Sequence, residues 1–96
     1  MITCASRVYQ PFQSDALGVL SCDGITIESI VRETGTPTYI YSADAVRRAY
    51  RAIDEAFAGQ PHAIHYALKA NSNLAIIDLL AREQAGFDIV SAGELA

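Results

Sequence analysis

Apolar positions along the chain change period several times, and each change marks an element. Residues 17–22, LGVLSC, form a short apolar run that closes on the turn dipeptide Asp23–Gly24, which predicts a strand and a tight turn. Thr26 stands where it can cap a helix carrying Ile27, Ile30 and Val31, with Gly35 and then Pro37 to end it. Residues 36–42, TPTYIYS, are rich in β-branched and aromatic side chains and predict another strand. Ser42 is an N-cap for the next helix, with Asp44 in its first turn. Val46, Tyr50, Ile53 and Phe57 recur at helical spacing as far as Gly59. Beyond it the pattern predicts a strand over 63–69 and a helix over 73–84. That helix is capped by Asn71 or Ser72, carries Leu74, Ile77 and Ala81 on its apolar stripe, and stops at Gly86. A strand over 87–91 and the first residues of one more helix complete the chain.

Strand, helix and strand joined by short connections are the signature of a parallel sheet, so the fold class is α/β. A (β/α)₈ barrel takes about 250 residues. The 96 residues here correspond to the opening quarter of such a TIM-like barrel, and a chain that stops inside a helix is expected to be a fragment.

Composition narrows the partners. The formal charge of −4 and pI near 4.9 exclude a nucleic-acid or anionic-membrane surface. Arg7, Arg32, Arg47, Arg48, Arg51 and Arg82 are scattered rather than clustered. Cys4 and Cys22 have neither metal-site spacing nor a disulfide framework, so reduced thiols and no metal are expected. The first residues lack a signal-peptide pattern, and no apolar run approaches the roughly 20 residues of a membrane span. A soluble cytoplasmic protein is the expectation.

The chemistry converges on Lys69, the only lysine of the chain. Side chains alternate across a strand, so Ile64, Tyr66 and Leu68 share one face while Ala63, His65, Ala67 and Lys69 share the other. On the following strand Phe87 and Ile89 oppose Asp88 and Val90. If the bulky faces lie under helices, Lys69 and Asp88 point into a common interior, at the strand edge where α/β sites are built. A desolvated lysine there has a lowered pKa, and its neutral amine condenses with aldehydes. Three other readings stand beside this one. Lys69 snorkels to solvent, Lys69 and Asp88 form a structural ion pair, or His65 is a hydrogen-bonded core residue rather than a participant.

The motifs YALKANSN (66–73), GFDIVSAGEL (86–95) and GTPTYIYS (35–42) are specific as a set. Through them the chain, over roughly 23–96, resembles the diaminopimelate decarboxylases, barrel-type pyridoxal-phosphate enzymes whose relatives act on ornithine and arginine. The resemblance implies that Lys69 carries pyridoxal 5′-phosphate through its amine and is the catalytic residue, that Asp88 lines the cofactor pocket, and that Glu94 lies near it. It also implies that residues 1–36 associate with a β-rich second domain while 37–96 supply the first βα units of the barrel. The implied activity is conversion of meso-2,6-diaminopimelate to L-lysine and carbon dioxide by a homodimer whose subunits complete each other's sites. A decarboxylase of ornithine, arginine or carboxynorspermidine, or a non-catalytic cofactor-binding protein, are the alternatives. Two positions depart from the usual family pattern: Ala92, where SGGE is commoner than Ser91–Ala92–Gly93–Glu94, and Leu68, where valine is usual. The phosphate loop, the acid for the pyridine nitrogen and the proton donor have no counterpart in these residues, so the 96 residues alone are expected to be inactive.

Overall fold

A computed structural model describes residues 9–95. Cys4 and Arg7 lie outside the described residues. The chain is mixed α/β and divides into two compact units, one through Ala45 and one from Val46.

The first unit holds an antiparallel sheet of β1 (Phe12–Ser14), β2 (Leu20–Cys22) and β3 (Ile25–Thr26), followed by α1 (Ile27–Thr34). β2 is shorter than the apolar run predicts, because Gly18 at φ 80 and the Asp15 carboxylate, which accepts from Leu17 and Val19 N–H, turn the chain before Leu20. Its partner β1, FQS, has no apolar alternation to announce it. Asp23 and Gly24 both have positive φ (50° and 82°), the pattern of a two-residue hairpin turn, and set Cys22 opposite Ile25. The Thr26 hydroxyl accepts from Ser29 N–H to start α1, and Gly35, at φ 75, ends it.

Residues 36–42 form no strand, contrary to their composition. A strand exists only through a ladder, and no described strand pairs with this segment; Tyr39 is 89% exposed. Ser42 caps α2 (Ala43–Ala56) as expected, accepting from Ala45 N–H at 2.9 Å. Asp23 also takes part in that cap. Its Oδ1 accepts from the hydroxyls of Ser42 (2.7 Å) and Tyr9 (2.9 Å), and its Oδ2 from Asp44 N–H (3.2 Å). One carboxylate thus holds the hairpin turn and the start of α2 together, with Ser42 buried in the joint. Beside it Cys22 is a buried free thiol. Burial, then the charges of Asp23 and Asp44, push its pKa up, which keeps it protonated and inert.

In the second unit β4 (His65–Ala67) pairs in parallel with β5 (Gly86–Asp88), and α3 (Leu74–Arg82) crosses between them. The chain closes with α4 (Ala92–Leu95). The core centres on Leu68 and Leu80, both buried, with Ile64, Tyr66, Ile76, Ile77 and Phe87 half-buried. Tyr66 and Phe87 meet edge to face at 6.5 Å. Of the predicted stripe only Ile77 is half-buried; Leu74 and Ala81 are exposed, and the buried side of α3 centres on Leu80 instead. The helix cap is Asn73, not Asn71 or Ser72. Asn71 is already engaged, its carbonyl by the Tyr66 hydroxyl and its side chain by Asn73 N–H, leaving Asn73 Oδ1 to accept from Ala75 N–H. The far end stops at Arg82, four residues before Gly86, because Gln84 takes the left-handed conformation (φ 70) and Ala85 N–H returns to the Leu80 carbonyl. Gly86 itself belongs to β5.

Two ionic contacts fasten α2 to the rest of this unit. Arg51 grips Glu83 with both Nε (3.2 Å) and a terminal nitrogen (2.6 Å). His62 places Nδ1 2.8 Å from the Gln60 carbonyl and Nε2 2.7 Å from Asp54 Oδ1. Two acceptors facing one ring favour the doubly protonated imidazolium, and the Gln60 carbonyl followed by Asp54 raises the His62 pKa above its ordinary 6.5.

Two outcomes are expected. Asp23→Ala removes three hydrogen bonds from a carboxylate and lowers stability by about 2–3 kcal/mol in chemical denaturation, whereas Asp23→Asn, which keeps one acceptor oxygen and tolerates positive φ, loses less. For His62, a raised folded pKa means that its stabilisation is complete below about pH 6.5 and fades as pH rises through the folded value. The stability difference between wild type and His62→Asn, followed from about pH 5 to 9, therefore shrinks with rising pH; a constant difference would contradict it.

Candidate functional site

The open face of the two-stranded sheet carries the candidate residues. Exposure alternates along 63–69 in the manner the strand pattern predicts: Ile64, Tyr66 and Leu68 turn toward the helices, while Ala63, His65 and Lys69 are exposed and Ala67 is half-buried on the other side. The register sets His65 beside Gly86 and Ala67 beside Asp88, so His65, Ala67 and Asp88 share one face. Lys69 follows directly, at the C-terminal edge of β4.

Lys69 departs from expectation in two respects. The strand ends at Ala67, and residues 68–70 form a single turn of 3₁₀ helix, because Leu68 turns inward to the core and the chain tightens around it. Lys69 therefore projects from a turn rather than from the strand. It is also exposed, as the snorkelling reading has it, rather than desolvated, since the two strands wall this face on one side only. The structural ion pair is absent: Lys69 and Asp88 make no contact within salt-bridge distance, and the amine has no hydrogen-bond partner among the described residues. Glu94 lies in the first turn of α4, where its carboxylate accepts from Val90 N–H at 2.6 Å, fixing the loop after β5.

His65 was expected to be a hydrogen-bonded core residue; instead it is exposed and makes no hydrogen bond. Its ring lies against Gly86, where a Cβ would sit 2.9 Å from Nδ1, 3.0 Å from Cε1 and 3.2 Å from Cγ. The glycine that the sequence presents as a helix stop is a seat for this imidazole. No local signal marks that role, because it depends on the pairing of residues 21 positions apart.

Residues 43–96 match the family model of the pyridoxal-dependent decarboxylases, pyridoxal binding domain. The chain belongs to that family. Among curated relatives, the diaminopimelate decarboxylase of Pseudomonas aeruginosa is 50% identical over 76 residues, 79% of this chain and 18% of that protein. The diaminopimelate decarboxylase of Vibrio cholerae is 42% identical over 87 residues, 91% of this chain and 20% of that protein. The one from Archaeoglobus fulgidus is 41% identical over 78 residues, 81% of this chain and 18% of that protein. The chain thus spans about a fifth of the length of these relatives.

The residues present fit the pyridoxal cofactor that defines the family. Its aldehyde requires a primary amine uncommitted to an ion pair, and Lys69 is the one side chain of the 96 residues that offers it. The methyl side chain of Ala67 leaves space beside it, and Asp88 supplies a carboxylate on the same face. Among the described residues no cluster suited to a metal ion occurs, and no helix is long and apolar enough to cross a membrane.

Gly86→Ala is expected to cost about 1 kcal/mol, the scale of one off-rotamer displacement, as the exposed His65 ring swings aside. In a double-mutant cycle His65→Ala should abolish that cost; an undiminished cost would place the constraint in the backbone.

Proposed function

We propose that the chain provides the opening of a (β/α)₈ barrel in a pyridoxal-phosphate-dependent decarboxylase converting meso-2,6-diaminopimelate to L-lysine and carbon dioxide. In this reading residues 37–96 supply the first βα units, residues 1–36 join a β-rich second domain, and the enzyme is a cytoplasmic homodimer. The observation that carries the proposal is the uncommitted amine of Lys69 just past the C-terminal edge of β4, two residues beyond Ala67, which pairs with Asp88. The names of the curated relatives support the choice of substrate.

Lys69 would hold the cofactor through its amine, and the cofactor would supply an electron sink for the substrate's α-carbon. Asp88 lines the pocket next to Lys69, where its negative charge orients the amine and retains the proton that the amine sheds or recovers. The ladder of β4 and β5 supplies a rigid base: it fixes Asp88 beside Ala67, two residues before Lys69 in the turn that follows β4.

In the full-length protein, borohydride reduction should fix the cofactor on Lys69. Lys69→Ala should abolish the label and lower carbon dioxide release by about 10³-fold or more; a label that survives the substitution refutes the assignment. Release of carbon dioxide from ornithine but not from diaminopimelate would overturn the substrate.

A further inference from the structure

His65 is left over from the chemistry just described, yet it stands on the same face. The parallel register puts its partner Gly86 two residues before Asp88. Two residues along a strand and one strand spacing across amount to about 8 Å between the backbone positions of His65 and Asp88. An imidazole spans most of that distance, and one bridging water spans the remainder. The ring is not free to lie anywhere: the absent side chain of Gly86 admits it to within van der Waals contact of the β5 backbone, and any larger residue would expel it. Both ring nitrogens are without a hydrogen-bond partner, so their donor and acceptor capacity is available to the site.

We propose that His65 is a positioning residue for Asp88: seated on Gly86, it donates a hydrogen bond, directly or through one water, that keeps the Asp88 carboxylate turned toward Lys69. The proposal rests on the assignment of Lys69 and Asp88 to the cofactor site. The other titratable groups around the ring are accounted for. Lys69 and Asp88 share its face, Tyr66 turns to the helix side, and His62 is occupied by Asp54 of α2. Glu83, at the end of α3, is occupied by Arg51.

The test uses the full-length holoenzyme and follows the visible absorption of the bound cofactor against pH. His65→Phe keeps a flat ring on Gly86 and removes its nitrogens, and should move the titration midpoint by about one pH unit, equivalent to a tenfold change in proton affinity. His65→Gln, which retains an N–H donor, should restore the wild-type midpoint. A midpoint unmoved by His65→Phe, or moved equally by His65→Gln, overturns the proposal while leaving borohydride labelling of Lys69 intact. An unlabelled Lys69 in the wild-type enzyme removes the cofactor site and this proposal with it.

Discussion

The parallel pairing of β4 with β5 is the constraint from which the second unit follows. Its anchor is the bond from Gly86 N–H to the Ile64 carbonyl at 2.9 Å, and its register then sets Tyr66 beside Phe87 and Ala67 beside Asp88. Parallel strands cannot be joined by a tight turn, so α3 must travel back along the sheet before β5 begins. The left-handed Gln84 redirects the chain at the end of that journey, and Arg51 clamped on Glu83 holds the corner. The ladder thereby decides both what is buried and which side chains meet on the open face.

Charge is distributed with the same economy. Six of the seven strong cations are arginines, whose guanidinium groups stay protonated and suit ion pairs with carboxylates. Arg32 and Arg82 accordingly pair with acids one helical turn away, at exposed positions where such contacts are worth only a few tenths of a kcal/mol. Only Lys69 carries a group able to lose its proton and form a covalent bond to an aldehyde. Because no other side chain among the described residues pairs with it, the amine remains available beside the sheet edge.

How far the sequence reveals this depends on the range of each interaction. The Asp23–Gly24 turn, the caps at Thr26 and Ser42 and the stop at Gly35 involve neighbours within four residues, and all are readable from type and spacing. The expected α3 cap, Asn71 or Ser72, falls short of the actual one, Asn73, because the Asn71 side chain is taken up by Asn73 N–H. Residues 36–42 have the side chains of a strand without a ladder, which composition cannot reveal. The alternation over 63–69 separates the packing face from the site face, but the exposure of Lys69 depends on what stands opposite it, which no local pattern encodes. The assignment of its chemistry came from motif resemblance, since the strand pattern by itself favours a solvated lysine.

The seating of Phe87 and Asp88 on opposite sides of β5 has a consequence for fidelity of assembly. A slip of one residue against β4 would drive a carboxylate among Tyr66 and Leu80 and leave an aromatic ring in water. The penalty for that mistake is levied by the packing side, yet it protects the reactive side, which contributes little cohesion of its own. Adjacent positions thus proofread one another, and the chemically useful alignment survives because the greasy one is unforgiving.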